Sequence, residues 1–142
     1  MIFRVKEIGI ERYVHSYWQL SMLRFHILES ELNRSVFDEI SHHNKTLGIP
    51  VICIDLNKLK GTYRKDGFLN TLLEQNQFPK WIWFSGIEAL RDTCFAGWLR
   101  SLLTVRHTDN LRCVFMGKTK ADIRAVFFDY KTPFYQSTQR LL

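Results

Sequence analysis

The chain has 142 residues, of which 46% are hydrophobic, 14% aromatic and 24% charged. These values are typical of one globular domain and exclude a disordered or fibrous protein, and no apolar run approaches the roughly 20 residues that a membrane span needs. A net charge of +6 favours acidic partners, such as nucleic acid or an acidic protein surface, but is also ordinary for a small soluble domain.

Three cysteines, Cys53, Cys94 and Cys113, are far apart along the chain. An odd number at these spacings makes neither a disulfide framework nor a Cys-x-x-Cys metal knuckle. Cys53 and Cys113 lie in apolar runs, where free thiols are usually buried. The N-terminal M-I-F-R-V-K-E lacks the apolar stretch of a secretory signal. We therefore expect a soluble, reduced, cytoplasmic protein without membrane insertion, with residues 1–142 as a single domain.

The first third of the chain predicts two helices around a short strand. Apolar residues recur at helical spacing over residues 8–23, and residues 24–30 read as a strand. Ser30 is a plausible N-cap for a helix that continues to about Thr46 and stops at Gly48.

The middle of the chain begins with the clearest strand. Residues 50–56, P-V-I-C-I-D-L, form the continuous apolar run of a strand buried on both faces of a parallel sheet. The segment K-L-K-G-T-Y-R-K-D-G then reads as a basic loop. A helix begins near Phe68 and ends before Pro79.

The last third continues the alternation. Residues 81–84, W-I-W-F, predict a strand, and Asp92 can cap a helix that runs to residue 106. Residues 111–116 predict a further strand, and residues 120–128 a final short helix.

This alternation predicts a three-layer α/β fold with a mostly parallel central sheet of about four to five strands flanked by helices. Ligands of such folds lie at the carboxyl ends of the strands. The residues expected at that edge are Glu29, Ser30, Asp55, Asn57, Lys58, Ser85, Gly86 and residues 117–119.

The element order resembles the core of P-loop ATPases of the AAA-like or signal-transduction kind. V-I-C-I-D-L stands at the second strand, and W-I-W-F-S-G at the strand that carries the magnesium-binding acid. L-R-C-V-F-M-G-K-T stands at the sensor strand. The resemblance covers most of the chain and depends on element order and hydrophobic pattern.

The motifs of that family are degenerate here. A P-loop requires G-x-x-x-x-G-K-[ST], but residues 28–35 read L-E-S-E-L-N-R-S. Leu28 and Asn33 replace the two glycines and Arg34 replaces the lysine, so only Ser35 matches. The resemblance therefore implies a pseudo-ATPase without a nucleotide cofactor, in which Ser85 replaces the metal-binding acid.

No other motif predicts catalysis or a metal site. Gly117-Lys118-Thr119 lacks the upstream glycine of a phosphate-binding loop. Asp55 could bind a ribose but is more typical of a turn or a helix cap. Adjacent His42 and His43 would point about 100° apart on a helix and cannot chelate together. We expect no catalytic residues, no metal and no cofactor.

Two segments are candidates for partner binding. The basic segment 58–65 follows the second strand, and its cations could bind phosphates while its tyrosine stacks on a base; alternatively it is a solvated loop. Its candidate residues are Lys58, Lys60, Tyr63, Arg64 and Lys65.

The second candidate is the tail, residues 130–142. Phe134 and Tyr135, with two terminal leucines, either fold back on the core or dock into another protein. The leading hypothesis is a non-enzymatic regulatory or scaffold protein that acts through protein–protein contacts, as a subunit of a larger assembly. The alternative is a nucleic-acid-binding accessory protein that uses the basic segment.

Overall fold

The computed structural model of the chain describes Gly9, Val14, Trp18 and residues 24–65, 67–74, 78–105 and 110–141. The helix expected over residues 8–23 therefore lies outside the described residues except at three positions. Of these, Val14 and Trp18 are helical, and Val14 is fully buried.

Five parallel strands form one sheet, in the order β2-β3-β4-β1-β5. Four of them match predicted strands to within two residues at each end, which confirms the three-layer α/β fold. The strands are β1 (Arg24–Leu28), β2 (Val51–Asp55), β3 (Lys80–Ser85), β4 (Leu111–Gly117) and β5 (Gln139–Arg140).

Helices flank the sheet. They are α1 (Arg34–Thr46), α2 (Leu56–Thr62), α3 (Phe68–Glu74), α4 (Thr93–Val105) and α5 (Lys120–Phe127), with a short 3-10 helix at Ile87–Arg91. As expected, Asp92 caps α4, because its Oδ1 accepts hydrogen bonds from the amides of Cys94 and Phe95 at 3.0 and 3.2 Å.

Two expectations about helices were wrong. Helix α1 begins after Asn33 rather than after Ser30, because the side chain of Asn33 accepts the hydrogen bond from the amide of Val36 at 2.9 Å. The first part of the expected basic loop is helix α2. Asp55 caps this helix, and Leu56 and Leu59 anchor it in the core.

Alternation along β3 builds one core on each side of the sheet. Ile82 and Phe84 pack with residues of α2 to α5, whereas Trp81 and Trp83 pack with residues of α1. Trp83 also donates from Nε1 to the hydroxyl of Ser41 in α1 at 3.0 Å. The two apolar layers enclose the sheet and leave its carboxyl edge as the place where loops converge.

The position of β2 corrects another expectation. Among the described strands β2 is outermost and pairs with β3 alone, so Cys53 is exposed rather than buried. Cys113, in central β4, is fully buried as expected, and burial raises the pKa of its thiol to about 12. Residues 51–56, 81–84 and 111–116 are neighbours, but the first of these is not central.

Among the described helices, none has the length and apolar character required to cross a lipid bilayer.

Candidate functional site

Strands β1 and β4 are neighbours whose following helices cover opposite faces of the sheet, α1 on one face and α5 on the other. In open α/β sheets such a divergence opens a crevice at the carboxyl ends of the two strands, where ligands bind. The candidate site is built around this point.

The loop that follows β1 closes tightly over the end of the sheet. The amide of Glu29 donates to the carbonyl of Gly117 in β4 at 2.8 Å, and the amide of Leu32 donates to the carbonyl of Leu28 at 3.2 Å. Asn33 then caps α1 with its side chain. A chain that turns back on itself in this way does not form the open, glycine-lined loop of a phosphate-binding motif.

An ion pair holds the same loop against β5. Arg140 donates from Nη2 to Oε2 of Glu31, and the side chains are 62% and 33% exposed, respectively. The guanidinium of Arg140 neutralises the carboxylate of Glu31.

The ends of β2 and β3 are linked by a polar network. Asp55 Oδ1 accepts from the amide of Asn57 at 2.9 Å, which confirms its capping role, and Asn57 donates from Nδ2 to Glu88 Oε1 at 2.7 Å. The hydrogen bond from Asn57 lowers the pKa of Glu88, with smaller contributions from its own backbone, Lys118 and Arg91.

Gly86 fits into this network only because it lacks a side chain. Its φ is +70°, and a Cβ atom there would lie 2.8 Å from both Asn57 Nδ2 and Asp55 Oδ1. The space beside the end of β3 is therefore filled by the side chains of Asp55, which ends β2, and Asn57, which lies in α2. Ser85 donates from its hydroxyl to the carbonyl of Ile54 at 3.5 Å.

The described residues contain no group of three or more His, Cys, Asp or Glu side chains that could hold a metal ion.

A cavity of about 230 Å³ lies between β1, α5 and β5, on the face of the sheet that α5 covers. Three cations border it, Lys120 and Arg124 from α5 and Arg140 from β5, together with the single carboxylate of Glu31. We call this space the basic cavity. Sequence reasoning did not bring these residues together, although the i, i+4 spacing of Lys120 and Arg124 on a helix at the ligand edge was a usable signal.

His26 forms part of the cavity wall and is largely buried, with 9% exposure. Its Nδ1 lies 2.8 Å from the hydroxyl of Thr138, and its ring stacks on Phe127 at 5.5 Å between centroids. Burial lowers the pKa of His26, and Arg140 lowers it further, whereas Glu31 raises it. The wall of the basic cavity therefore favours a neutral imidazole.

The basic segment lies at the other end of the carboxyl edge. Lys58 and Lys60 are on α2, and Arg64 and Lys65 follow it, all exposed. Lys60 forms an ion pair with Asp92 at 3.9 Å.

Tyr63 is half-buried in the same segment. Its ring contacts Phe95 and Trp98, with both centroid separations 4.9 Å. The guanidinium of Arg64 lies over the ring at 5.5 Å and donates from Nε to the hydroxyl at 3.1 Å, which raises the pKa of Arg64. The tyrosine is therefore a packing residue whose ring is covered from several directions.

The tail folds back on the core. Phe134 is fully buried and packs on Phe115 and Phe127, and Leu141 is also fully buried. Of the two alternatives, folding back on the core or docking into another protein, Phe134 follows the first and offers no surface to a partner. Tyr135 remains 41% exposed.

Exposed aromatic rings concentrate in the turns between α5 and β5. Phe128, Tyr130 and Tyr135 are 58%, 74% and 41% exposed. Their segment is compact, since the amide of Gln136 donates to the carbonyl of Phe127 at 3.0 Å. We call Phe128, Tyr130 and Tyr135 the aromatic surface.

Comparisons of the chain with protein-family models, curated proteins and solved structures gave no match.

Proposed function

We propose that this protein is a non-enzymatic regulatory or scaffold protein, built on a degenerate nucleotide-binding-like domain and acting through protein–protein contacts as a subunit of a larger assembly in the cytoplasm. The observation that supports this proposal is the loop after β1, in which Asn33 caps helix α1 and Glu31 is paired with Arg140.

The parallel sheet and the alternation of strands with helices support the resemblance to AAA-like ATPases. In those enzymes the phosphate-binding loop follows the first strand, and the metal-binding acid ends the third. The resemblance makes residues 29–33 and Ser85 correspond to these positions.

The chemistry at the first of these positions argues against tight nucleotide binding. In a P-loop, amides at the helix N-terminus point at the phosphates. Here the carboxamide of Asn33 accepts the hydrogen bond of the Val36 amide, and Glu31 adds a negative charge that is paired with Arg140. A triphosphate would have to displace the cap, which is unfavourable.

The second position lacks the acid that would bind magnesium. Ser85 ends β3, and the space beside Gly86 is closed by Asn57 and Asp55. Hydrolysis requires a metal ion to neutralise the charge that develops during phosphoryl transfer. The substitutions at both positions therefore support a domain whose fold has been retained for binding.

The aromatic surface supports a protein partner. Tyrosine and phenylalanine are enriched at protein interfaces because their rings bury a large area with few rotatable bonds. Tyr130 and Tyr135 are exposed within a compact segment, so they can present a preformed surface.

Affinity capture with matched variants tests this proposal. Wild-type protein, a Tyr130→Ser/Tyr135→Ser variant and the control Phe78→Ser are used as baits; Phe78 is 57% exposed and precedes β3. We expect a partner that rebinds wild type after purification and binds the double variant at least about tenfold more weakly. A partner that binds both variants equally, or no purified partner that rebinds, would contradict the proposal.

The second candidate is a nucleic-acid-binding accessory protein. It is favoured by the exposure of Lys58, Arg64 and Lys65 near the carboxyl edge. If these cations and Lys60 contact a phosphate backbone, replacing all four by Gln lowers the slope of log affinity against log salt by roughly 0.7 to 0.9 per lost contact. Tyr63 is left unchanged because its ring packs on Phe95 and Trp98. Single-stranded DNA that fails to bind at physiological salt would remove this candidate.

A further inference from the structure

The basic cavity combines an apolar lining with a few charged groups, as ligand sites do. Leu28, Ile123 and Phe128 supply apolar surface, and the volume is about 230 Å³. This is below the roughly 300–1,000 Å³ of drug-sized sites, so the cavity suits a small ligand. It lies beside the carboxyl end of β1, on the face of the sheet that α5 covers, and carboxyl ends of strands are where α/β sheets place their ligands.

The charges of the cavity favour an anion. Three cations face one carboxylate, so the lining has an excess of two positive charges. Lys120 and Arg124 form no ion pair with a described residue. Arg140 uses one Nη2 contact for Glu31, and a guanidinium has five N–H donors, so further donors remain for a ligand.

We propose that the basic cavity binds a small phosphate monoester, whose phosphoryl group is held by Lys120, Arg124 and Arg140 and whose apolar part contacts Phe128 and Ile123. A phosphate monoester carries a charge of about −1.5 to −2 near neutral pH, which matches the excess of the lining. Arginine is suited to this group because its planar donors can bind phosphate oxygens in pairs.

This site differs from the degenerate loop in the elements that form it. Its cations come from α5 and β5, whereas a P-loop would use backbone amides at the start of α1. The two proposals share Glu31 and Phe128, but Tyr130 and Tyr135, which test the scaffold role, lie outside the lining, so either proposal can fail without the other.

Titration of the purified protein with phenyl phosphate tests the inference. We expect saturable binding with a dissociation constant of about 1 mM or tighter, and weaker binding of inorganic phosphate, which lacks the ring, and of phenyl sulfate, which has a single charge. Lys120→Gln and Arg124→Gln should each weaken binding about tenfold, because each removes a charge-assisted hydrogen bond. The control Lys118→Gln, an exposed lysine outside the lining, should leave affinity unchanged.

Glu31→Gln should change the affinity for phenyl phosphate in the opposite direction. Removing the only carboxylate among the described residues of the lining should strengthen binding roughly three- to tenfold, an outcome that a loss of folding cannot imitate. The inference is wrong if phenyl phosphate does not saturate, if phenyl sulfate binds equally well, or if Lys118→Gln matches Arg124→Gln. Weaker binding by Glu31→Gln would also contradict it.

Discussion

Glu31 and Arg140 are separated by 109 positions in the chain, yet their side chains form an ion pair across the carboxyl edge of the sheet. The pair joins the loop after β1 to the short strand β5. Because both side chains keep contact with solvent, we expect the pair to contribute at most about 1 kcal/mol to stability. Its main consequence is electrostatic, since the guanidinium of Arg140 neutralises the carboxylate of Glu31 beside the basic cavity.

The first prediction concerns the cap of α1. Asn33→Ala removes the acceptor for the amide of Val36 and should lower the free energy of unfolding by about 1 kcal/mol, while Asn33→Asp should retain most of it. Urea unfolding measures both. Ser30→Ala is the control, because Ser30 lies outside the cap, and an equal loss in this variant would mean that the cap is wrongly placed.

The second prediction concerns Gly86. Gly86 and Gly48 both have positive φ, +70° and +78°, but only at Gly86 would a Cβ meet other atoms within 4 Å. Gly48→Ala should cost about 1–2 kcal/mol from backbone strain alone. Gly86→Ala should cost at least about 1 kcal/mol more, because Asn57 and Asp55 must move and lose hydrogen bonds. Equal losses in thermal unfolding would show that the polar network is not closed.

Much of the sheet could be predicted from the sequence, because its inner strands are long apolar runs. The short apolar run W-I-W-F in β3 lies between Pro79 and Gly86, and this pattern is typical of a buried strand. The order of strands could not be predicted, since it depends on crossovers that no local pattern records. The apolar run of β2 predicts a strand buried on both faces, which is why Cys53 was expected to be buried, whereas β2 lies at the edge of the sheet and Cys53 is exposed.

The candidate site was predicted less well, because two residues compete for one helix cap and because one of its strands is very short. Ser30 and Asn33 are both good cap residues, and the turn that follows β1 decides between them. Strand β5 has two residues, too few for any periodicity, so Arg140 could not be assigned to the sheet. The charges and Gly61 of segment 58–65 concealed helix α2, whose buried face is only Leu56 and Leu59.

The third prediction concerns the thiols. Cys53 and Cys94 are exposed, so both should react with dithionitrobenzoate in the folded protein. Cys113 should react only after unfolding, because it is buried and its pKa is raised to about 12, so almost no thiolate is present at neutral pH. Cys53→Ser should remove one rapid reaction. Fast reaction of Cys113 in the native protein would contradict the placement of β4.

The fourth prediction concerns pH. The folded pKa of His26 lies below its usual 6.5, so the unfolded chain binds a proton more readily than the folded protein does. The contribution of the neutral His26 ring to the free energy of unfolding is therefore complete above pH 6.5. It should be lost as the pH drops below 6.5 towards the folded pKa. Arg140 and burial favour the neutral ring, Glu31 opposes them, and Lys120 and Arg124 border the same cavity.

Urea midpoints at a series of pH values test this, with His26→Gln and the exposed His42→Gln as a matched pair. We expect His26→Gln to flatten the decline between pH 6.5 and more acidic values, and His42→Gln to keep it. A decline that disappears equally in both variants would show that His26 is not the group responsible.

Calorimetric titration with MgATP tests the proposed pseudo-ATPase most directly. We expect no saturable binding at micromolar concentrations, because the proposal has Leu28, Asn33 and Arg34 in place of the two glycines and the lysine of a P-loop, and Ser85 in place of the metal-binding acid. Weak, magnesium-independent binding that depends on Arg124 would belong to the basic cavity. Micromolar, magnesium-dependent affinity that Ser35→Ala abolishes would contradict the account.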